Sequence, residues 1–153
     1  MAIKMKTVVT YRTTATATSH ARTDIPMRDL TTVIDEPLER GGSNEGLTPT
    51  ETALAALIGC TNVIGHKCAD KLGVDIGHLS ISAVCDFDRR GVTLQEEIDV
   101  PFERIVLTVE AGGAATDGDL DRVRQEVAKF CPLSKLFRQA GTEIQEIWRR
   151  KED

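Results

Sequence analysis

The spacing of apolar and polar positions changes repeatedly along the chain, and each change predicts an element. Residues 4–13, KMKTVVTYRT, carry Val8, Val9, Tyr11 and several threonines, a β-prone composition that predicts a strand. The next run, TTATATSHART, alternates with period two and predicts its hairpin partner, and DLTTVID at 29–35 predicts a third strand. Residues 1–35 therefore read as a small antiparallel meander. Glu36 to Gly46, EPLERGGSNEG, is charged and glycine-rich, the composition of a loop, and loops of this kind often carry function.

At Thr48 the period becomes helical, in the stretch TPTETALAALIGCTNVIGHKC. Thr48 suits a cap, Pro49 suits the first helical position, and Glu51 stands three residues after the cap, as in a capping box. Ala53 to Cys60 is apolar on every side, so a helix there has to be buried on most of its faces. It is too short to span a bilayer before Thr61, Asn62, His66 and Lys67 arrive. The helix is predicted over 49–72, stopped by Gly73. Ala55, Ala56 and Gly59 would let another backbone approach closely around Cys60.

Beyond the helix, Leu79, Ile81, Ala83, Cys85 and Phe87 alternate and predict a half-buried strand, with another over 101–111 led by Phe102. Leu120, Val123, Val127 and Phe130 lie at helical spacing over 117–130, with acids in the first turn. Pro132 interrupts that pattern. A short helix at 133–139, ended by Gly141, and a closing strand in TEIQEIWRR follow, the strand with Ile144 and either Ile147 or Trp148 inward. The order βββ-α-ββ-αα-β predicts an α+β fold, antiparallel sheet wrapped about one apolar helix. It reads as one domain over 1–153: a meander at 1–35, the central helix at 49–72 and a ββααβ part at 77–153.

Composition narrows the function classes. A net charge of −5 and an aromatic content of 4% argue against a nucleic-acid surface. No stretch reaches transmembrane length, and MAIKMKTVVTYR lacks the apolar region of a secretory signal, so the expected location is the cytoplasm, with no membrane partner. Four cysteines (Cys60, Cys68, Cys85, Cys131) should then be reduced at rest. With no C-x-x-C and no close Cys/His cluster, neither a structural zinc nor another cofactor is expected.

The question becomes which thiol reacts. Cys85 falls in the apolar register of a strand and reads as core. Cys68 lies eight residues after Cys60, about 12 Å along a helix, too far for a disulfide between them, and reads as structural. Cys131, in KFCPLSKLF, precedes Pro132. If Pro132 opens a helix, Cys131 caps it, and the exposed amides and dipole there would lower its pKa, with Lys129 and Lys135 close in sequence. The same residues also fit a small side chain at a helix junction. Cys60 is either filler in an apolar helix or a nucleophile in need of a positive partner.

GLTPTETALAALIGCT, followed 71 residues after its cysteine by CPLSKL, resembles the OsmC/Ohr family of thiol peroxidases, and the upstream VIDEP and RGG elements resemble its OsmC-like branch. The resemblance covers roughly residues 31–149. It implies an intertwined homodimer, two central helices wrapped by six-stranded sheets, with active sites at the subunit interface and hydroperoxides, organic ones favoured, as substrates. It further implies that Cys60 is the peroxidatic cysteine and Cys131 the resolving one. A Cys60 sulfenate would condense with Cys131 to a disulfide, which an external dithiol, lipoyl-type or thioredoxin-like, would reduce. The arginine that steadies the thiolate would be Arg40, nine residues before Pro49, with Arg22 as the alternative. The family's pattern places a glutamate ten residues before the peroxidatic cysteine. Here that position is Thr50, and Glu51 stands nine before, half a turn of azimuth away from Cys60. Glu51 is therefore either a displaced catalytic acid or a capping residue. His66, six residues after Cys60, is badly placed as a base for that thiol, and His20 and His78 belong to no motif.

Two function classes follow. One is a two-cysteine hydroperoxide reductase. The other is a non-enzymatic dimer of the same fold that binds an apolar ligand or senses oxidants through its thiols.

Overall fold

Arg28 adopts a left-handed backbone (φ 58°) and turns β2 (Thr23–Met27) back onto β3 (Leu30–Ile34). The computed structural model describes residues 6–152, and the chain divides between Thr52 and Ala53 into two compact units. In the first unit β1 (Thr16–Ala17) pairs antiparallel with β2, and β2 pairs antiparallel with β3, with Thr23 opposite Ile34 and Met27 opposite Leu30. The meander is therefore present, but only its last strand is where composition placed it. Of 13–22 just Thr16–Ala17 is strand, 18–22 turns, and the middle strand, Thr23–Met27, lies almost wholly in a segment assigned no element. Residues 4 and 5 lie outside the described residues. Over 6–13 the backbone joins no ladder, and Val8, Val9 and Tyr11 are exposed. β-propensity marks a segment that fits a pleated surface, and among the described residues of this unit no strand pairs with it. Thr13 is held through its hydroxyl, which donates to the Pro26 carbonyl.

The loop after β3 is organised by a carboxylate. Asp35 is fully enclosed, and its Oδ1 accepts from the Glu36 amide at 2.8 Å. Its Oδ2 accepts from the Ser43 amide at 3.1 Å, the Ser43 hydroxyl at 2.6 Å and the Glu45 amide at 3.1 Å. These bonds fold the glycine-rich segment back on β3. A Cβ at Gly42 would stand 1.8 Å from the Glu36 carbonyl oxygen, so that position must be glycine. Among the described residues of this unit only Asp35 and Thr48 are buried.

Helix α1 (Pro49–Leu72) has the predicted limits. Thr48 and Glu51 complete a capping box: Thr48 N donates to Glu51 Oε2 at 2.9 Å, and Glu51 N donates to Thr48 Oγ1 at 3.3 Å. Gly73, at φ 66°, supplies the left-handed stop. Burial on most faces is not found within the single chain. Leu57, Thr61, Gly65, Cys68 and Ala69 form one buried stripe, while Ala55, Ala56, Gly59, Asn62, Val63 and His66 are exposed.

In the second unit, β4 (Leu79–Phe87), β5 (Phe102–Ala111) and β6 (Glu143–Arg150) form a sheet in that order. β4 pairs antiparallel with β5, Leu79 opposite Ala111, and has the alternating exposure its sequence predicts. β6, however, pairs parallel with β5, Ile105 opposite Ile144 and Val109 opposite Trp148. The expectation of a wholly antiparallel sheet is corrected here. Helices α2 (Asp117–Phe130) and α3 (Pro132–Gln139) form a crossover, which returns the chain to the same end of the sheet before β6 begins. Leu120, Val123 and Val127 of α2 pack with Ile105, Leu107 and Ala111 of β5 and with Leu57 of α1 in the core. Inward positions on β6 are Ile144, Glu146 and Trp148, while Ile147 points out. No helix among the described residues is long and apolar enough to cross a membrane.

Candidate active site

The fold brings Cys60 and Cys131 together. Pro132 cannot donate a backbone hydrogen bond, so α2 ends at Phe130, and Cys131 serves both helices. Its amide closes α2 on the Val127 carbonyl at 2.8 Å. Its extended backbone (φ −71°, ψ 111°) then starts α3, with Pro132 in the first turn. The side chain is the cap of α3: Sγ accepts from the Ser134 amide at 3.4 Å. The same thiol donates to Cys60 Sγ at 3.0 Å. Cys131 is fully buried, and Cys60, midway along α1, is half-buried.

Capping does not lower the Cys131 pKa as expected from the dipole alone. Burial pushes it up, and the Cys60 sulfur raises it further because the hydrogen bond needs the proton in place, reaching about 11. The Ser134 and Leu133 amides pull the other way without prevailing. Lys129 does not contribute, since it is paired with Glu126 at 2.6 Å. Burial also raises the Cys68 and Cys85 thiols, consistent with packing roles.

Arg40, Arg22 and Glu51 belong to the first unit, where each has its own partners. Arg40 Nε pairs with Glu36 Oε2 at 2.7 Å. Arg22 is more fully engaged, with Nε on Asp24 Oδ1 at 2.8 Å and Nη1 on Glu45. The Glu51 carboxylate is occupied by the capping box. Its pKa is lowered, chiefly by the Thr48 amide, then by the Thr48 hydroxyl; burial opposes the fall and the Arg40 charge adds to it. At position 50 the threonine hydroxyl meets that of Thr48 at 3.2 Å. His66 uses both ring nitrogens elsewhere, facing the Asn62 carbonyl at 3.0 Å and the Gly77 carbonyl at 3.1 Å.

Three polar residues given no role by the sequence extend in a chain from Cys131, which only the first of them, Ser134, touches. Ser134, Arg138 and Glu146 connect the first turn of α3 to β6, through Arg138 Nε to Ser134 Oγ at 3.3 Å and Arg138 Nη2 to Glu146 Oε2 at 3.4 Å. The available signal was the i, i+4 spacing of Ser134 and Arg138 and the period-two alignment of Ile144, Glu146 and Trp148. An apolar cleft of about 230 Å³ lies beside α3, lined by Ala53, Val100, Pro101, Phe102, Leu136 and Phe137 among others. Ala53 is seven residues before Cys60, about 10 Å along α1 and close to the same azimuth.

Residues 42–146 match the sequence pattern of the family described as "OsmC-like protein". No curated protein matches the chain. Among solved structures, an OsmC-like protein from Mycoplasma pneumoniae superposes with a TM-score of 0.76 at 15% identity, covering 94% of this chain and 99% of that one. An organic hydroperoxide resistance protein OsmC from Legionella pneumophila gives 0.67 at 14% identity, over 96% and 100% of the two chains. An organic hydroperoxide resistance protein from Elizabethkingia anophelis gives 0.63 at 17%, over 97% and 100%. At these identities the structures share the α+β fold.

Proposed function

The chain belongs to the OsmC-like family, and from that premise we propose that it is a thiol-dependent peroxidase acting on hydroperoxides, organic ones above all. The observation that carries this reading is the 3.0 Å contact between the sulfurs of Cys60 and Cys131. Cys60 thiolate attacks the distal oxygen of a hydroperoxide, the O–O bond breaks, and the alkoxide leaves as alcohol after taking a proton. The Cys60 sulfenic acid then condenses with Cys131, whose proton departs with the sulfenic hydroxyl as water. An external dithiol restores both thiols by two exchanges and is itself oxidised to a disulfide. The cleft beginning at Ala53 supports an apolar substrate tail, and two structural relatives are named for organic hydroperoxide resistance.

For the cation that steadies the thiolate, Arg40 is the better candidate than Arg22. Arg22 commits both arms of its fork to Asp24 and Glu45, whereas Arg40 makes one ion pair, through Nε, among the described residues. The working form in this reading is a homodimer. It is supported by the exposed stripe of α1, by the meander with no buried apolar side chain among its described residues, and by the exposed β-prone segment at 6–13. A cycle that starts from reduced thiols fits the cytoplasm.

One observation favours the second reading, oxidant sensing or apolar-ligand binding without turnover. Glu51 is committed to the α1 cap, and Thr50 offers no carboxylate. Consumption of cumene hydroperoxide with dihydrolipoamide, in wild type and Cys60→Ser, separates the two. Sustained consumption lost in Cys60→Ser supports the peroxidase. Oxidation that stops at one equivalent per chain supports the sensor and rejects the peroxidase.

A further inference from the structure

The first turn of α3 is braced from β6 by a polar chain that ends on the reacting sulfurs. Ser134 is 1% exposed, and both of its polar arms are engaged. Its amide donates to Cys131 Sγ at 3.4 Å, and its hydroxyl accepts from Arg138 Nε at 3.3 Å. Arg138 reaches on through Nη2 to Glu146 Oε2 at 3.4 Å. The Glu146 side chain is only 2% exposed, in a strand position flanked on the same face by Ile144 and Trp148. A carboxylate enclosed in this way destabilises the fold unless a partner compensates it. Burial pushes its pKa up, and Arg138, then Arg124, then the Trp148 indole oppose the rise. An apolar residue would pack there without that cost, so the charge has a use other than filling space.

We propose that Arg138 is a positioning residue for the resolving thiol, anchored on Glu146 and acting through Ser134 to hold the Cys131 sulfur against Cys60. This rests on the peroxidase reading for its biological purpose, while the geometry stands without it. The step served is condensation: the S–O bond of the Cys60 sulfenic acid breaks, a bond forms between the Cys60 and Cys131 sulfurs, and the Cys131 proton leaves with hydroxide as water. Sulfur must approach along the line of the breaking bond, so a first turn free to rock would spend less time in the productive geometry. The planar fork of arginine serves Ser134 and Glu146 together. Lysine, a single point of charge, can face Glu146 but cannot span both.

The test uses the full chain and one equivalent of cumene hydroperoxide, with sulfenate trapped by dimedone and disulfide followed by mass spectrometry at timed quenches. Arg138→Ala, Arg138→Lys and Ser134→Ala should form sulfenate within about twofold of the wild-type rate and condense about tenfold more slowly, as the loss of one charge-assisted hydrogen bond implies. Because the residues act as one unit, the double variant Arg138→Ala/Ser134→Ala should be no slower than either single one. An unchanged condensation rate in Arg138→Ala, restoration by Arg138→Lys, or a double variant slowed by the product of the singles would each overturn the proposal. A parallel arm replaces peroxide with diamide, an azo oxidant that takes two electrons and two protons from the thiol pair. If wild type ignores hydroperoxide, the peroxidase reading fails, and diamide still decides this one. About tenfold slower disulfide formation in Arg138→Ala upholds it, and equal rates reject it.

Discussion

Cys131 donates its thiol hydrogen to the sulfur of Cys60 across 3.0 Å, although 71 positions separate them in the chain. The contact is a product of the second unit's packing. α1 sets Cys60 beside the core, and the Pro132 break sets Cys131 at the junction of α2 and α3.

If Cys131 resolves the sulfenate as proposed, replacing it should divide the cycle at its midpoint. Serine is a strong cap, so Cys131→Ser keeps the start of α3 intact. The variant should consume one equivalent of cumene hydroperoxide and accumulate a Cys60 sulfenic acid that dimedone captures. Turnover on dihydrolipoamide should fall by at least about tenfold, because an intramolecular step has become bimolecular. Full turnover in this variant would mean that Cys131 does not resolve the sulfenate.

Alkaline stability should carry the signature of the buried thiol. The Cys131 pKa is raised from the ordinary thiol value of 9.0 to about 11, so above pH 9 the unfolded chain releases this proton before the folded one does. Its contribution is fully present below pH 9 and is lost as pH rises towards about 11. Cys68 and Cys85, also raised, add to the same decline. Urea unfolding of the reduced protein across this range should show a shallower fall for Cys131→Ser than for wild type. Parallel curves would contradict the assignment.

The α1 cap makes a separable prediction for Glu51. Thr48→Ala should cost about 1 kcal/mol of stability, the usual loss for a helix cap. Glu51→Gln keeps an acceptor for the Thr48 amide but removes the negative charge from the first turn, a loss of about 0.5 kcal/mol. The lowered Glu51 pKa means its contribution is present above the ordinary carboxylate range and is lost as pH falls through the folded value. Peroxide turnover should survive Glu51→Gln. Its abolition in a protein that still melts normally would make Glu51 a catalytic acid after all.

Local chemistry made some of this legible before any coordinates. Thr48, Glu51 and Gly73 each carry a conformational preference strong enough to fix the ends of α1, and Pro132 locates the break that makes Cys131 a cap. Where an outcome depends on what lies opposite, the sequence was silent. Val8, Val9 and Tyr11 are β-prone, but a strand needs a neighbour, and among the described residues of the first unit none pairs with them. The closing strand offered more than one inward set. Only pairing with β5 puts Glu146 inside and Ile147 outside, a choice that hydropathy alone would reverse. The Cys131 pKa failed for a related reason, because the cap dipole is visible in sequence while desolvation and the facing sulfur are not.

The long sequence separation between the two thiols has a thermodynamic consequence. A disulfide between Cys60 and Cys131 would tie off a loop of about 70 residues in the unfolded chain, worth about 4 kcal/mol in the chain-entropy description. By linkage the same quantity appears twice: the bond makes the fold harder to melt, and the fold makes the bond harder to reduce. The melting temperature thereby becomes a gauge of redox state. Any reductant must draw on a potential low enough to undo a bond that the architecture itself favours.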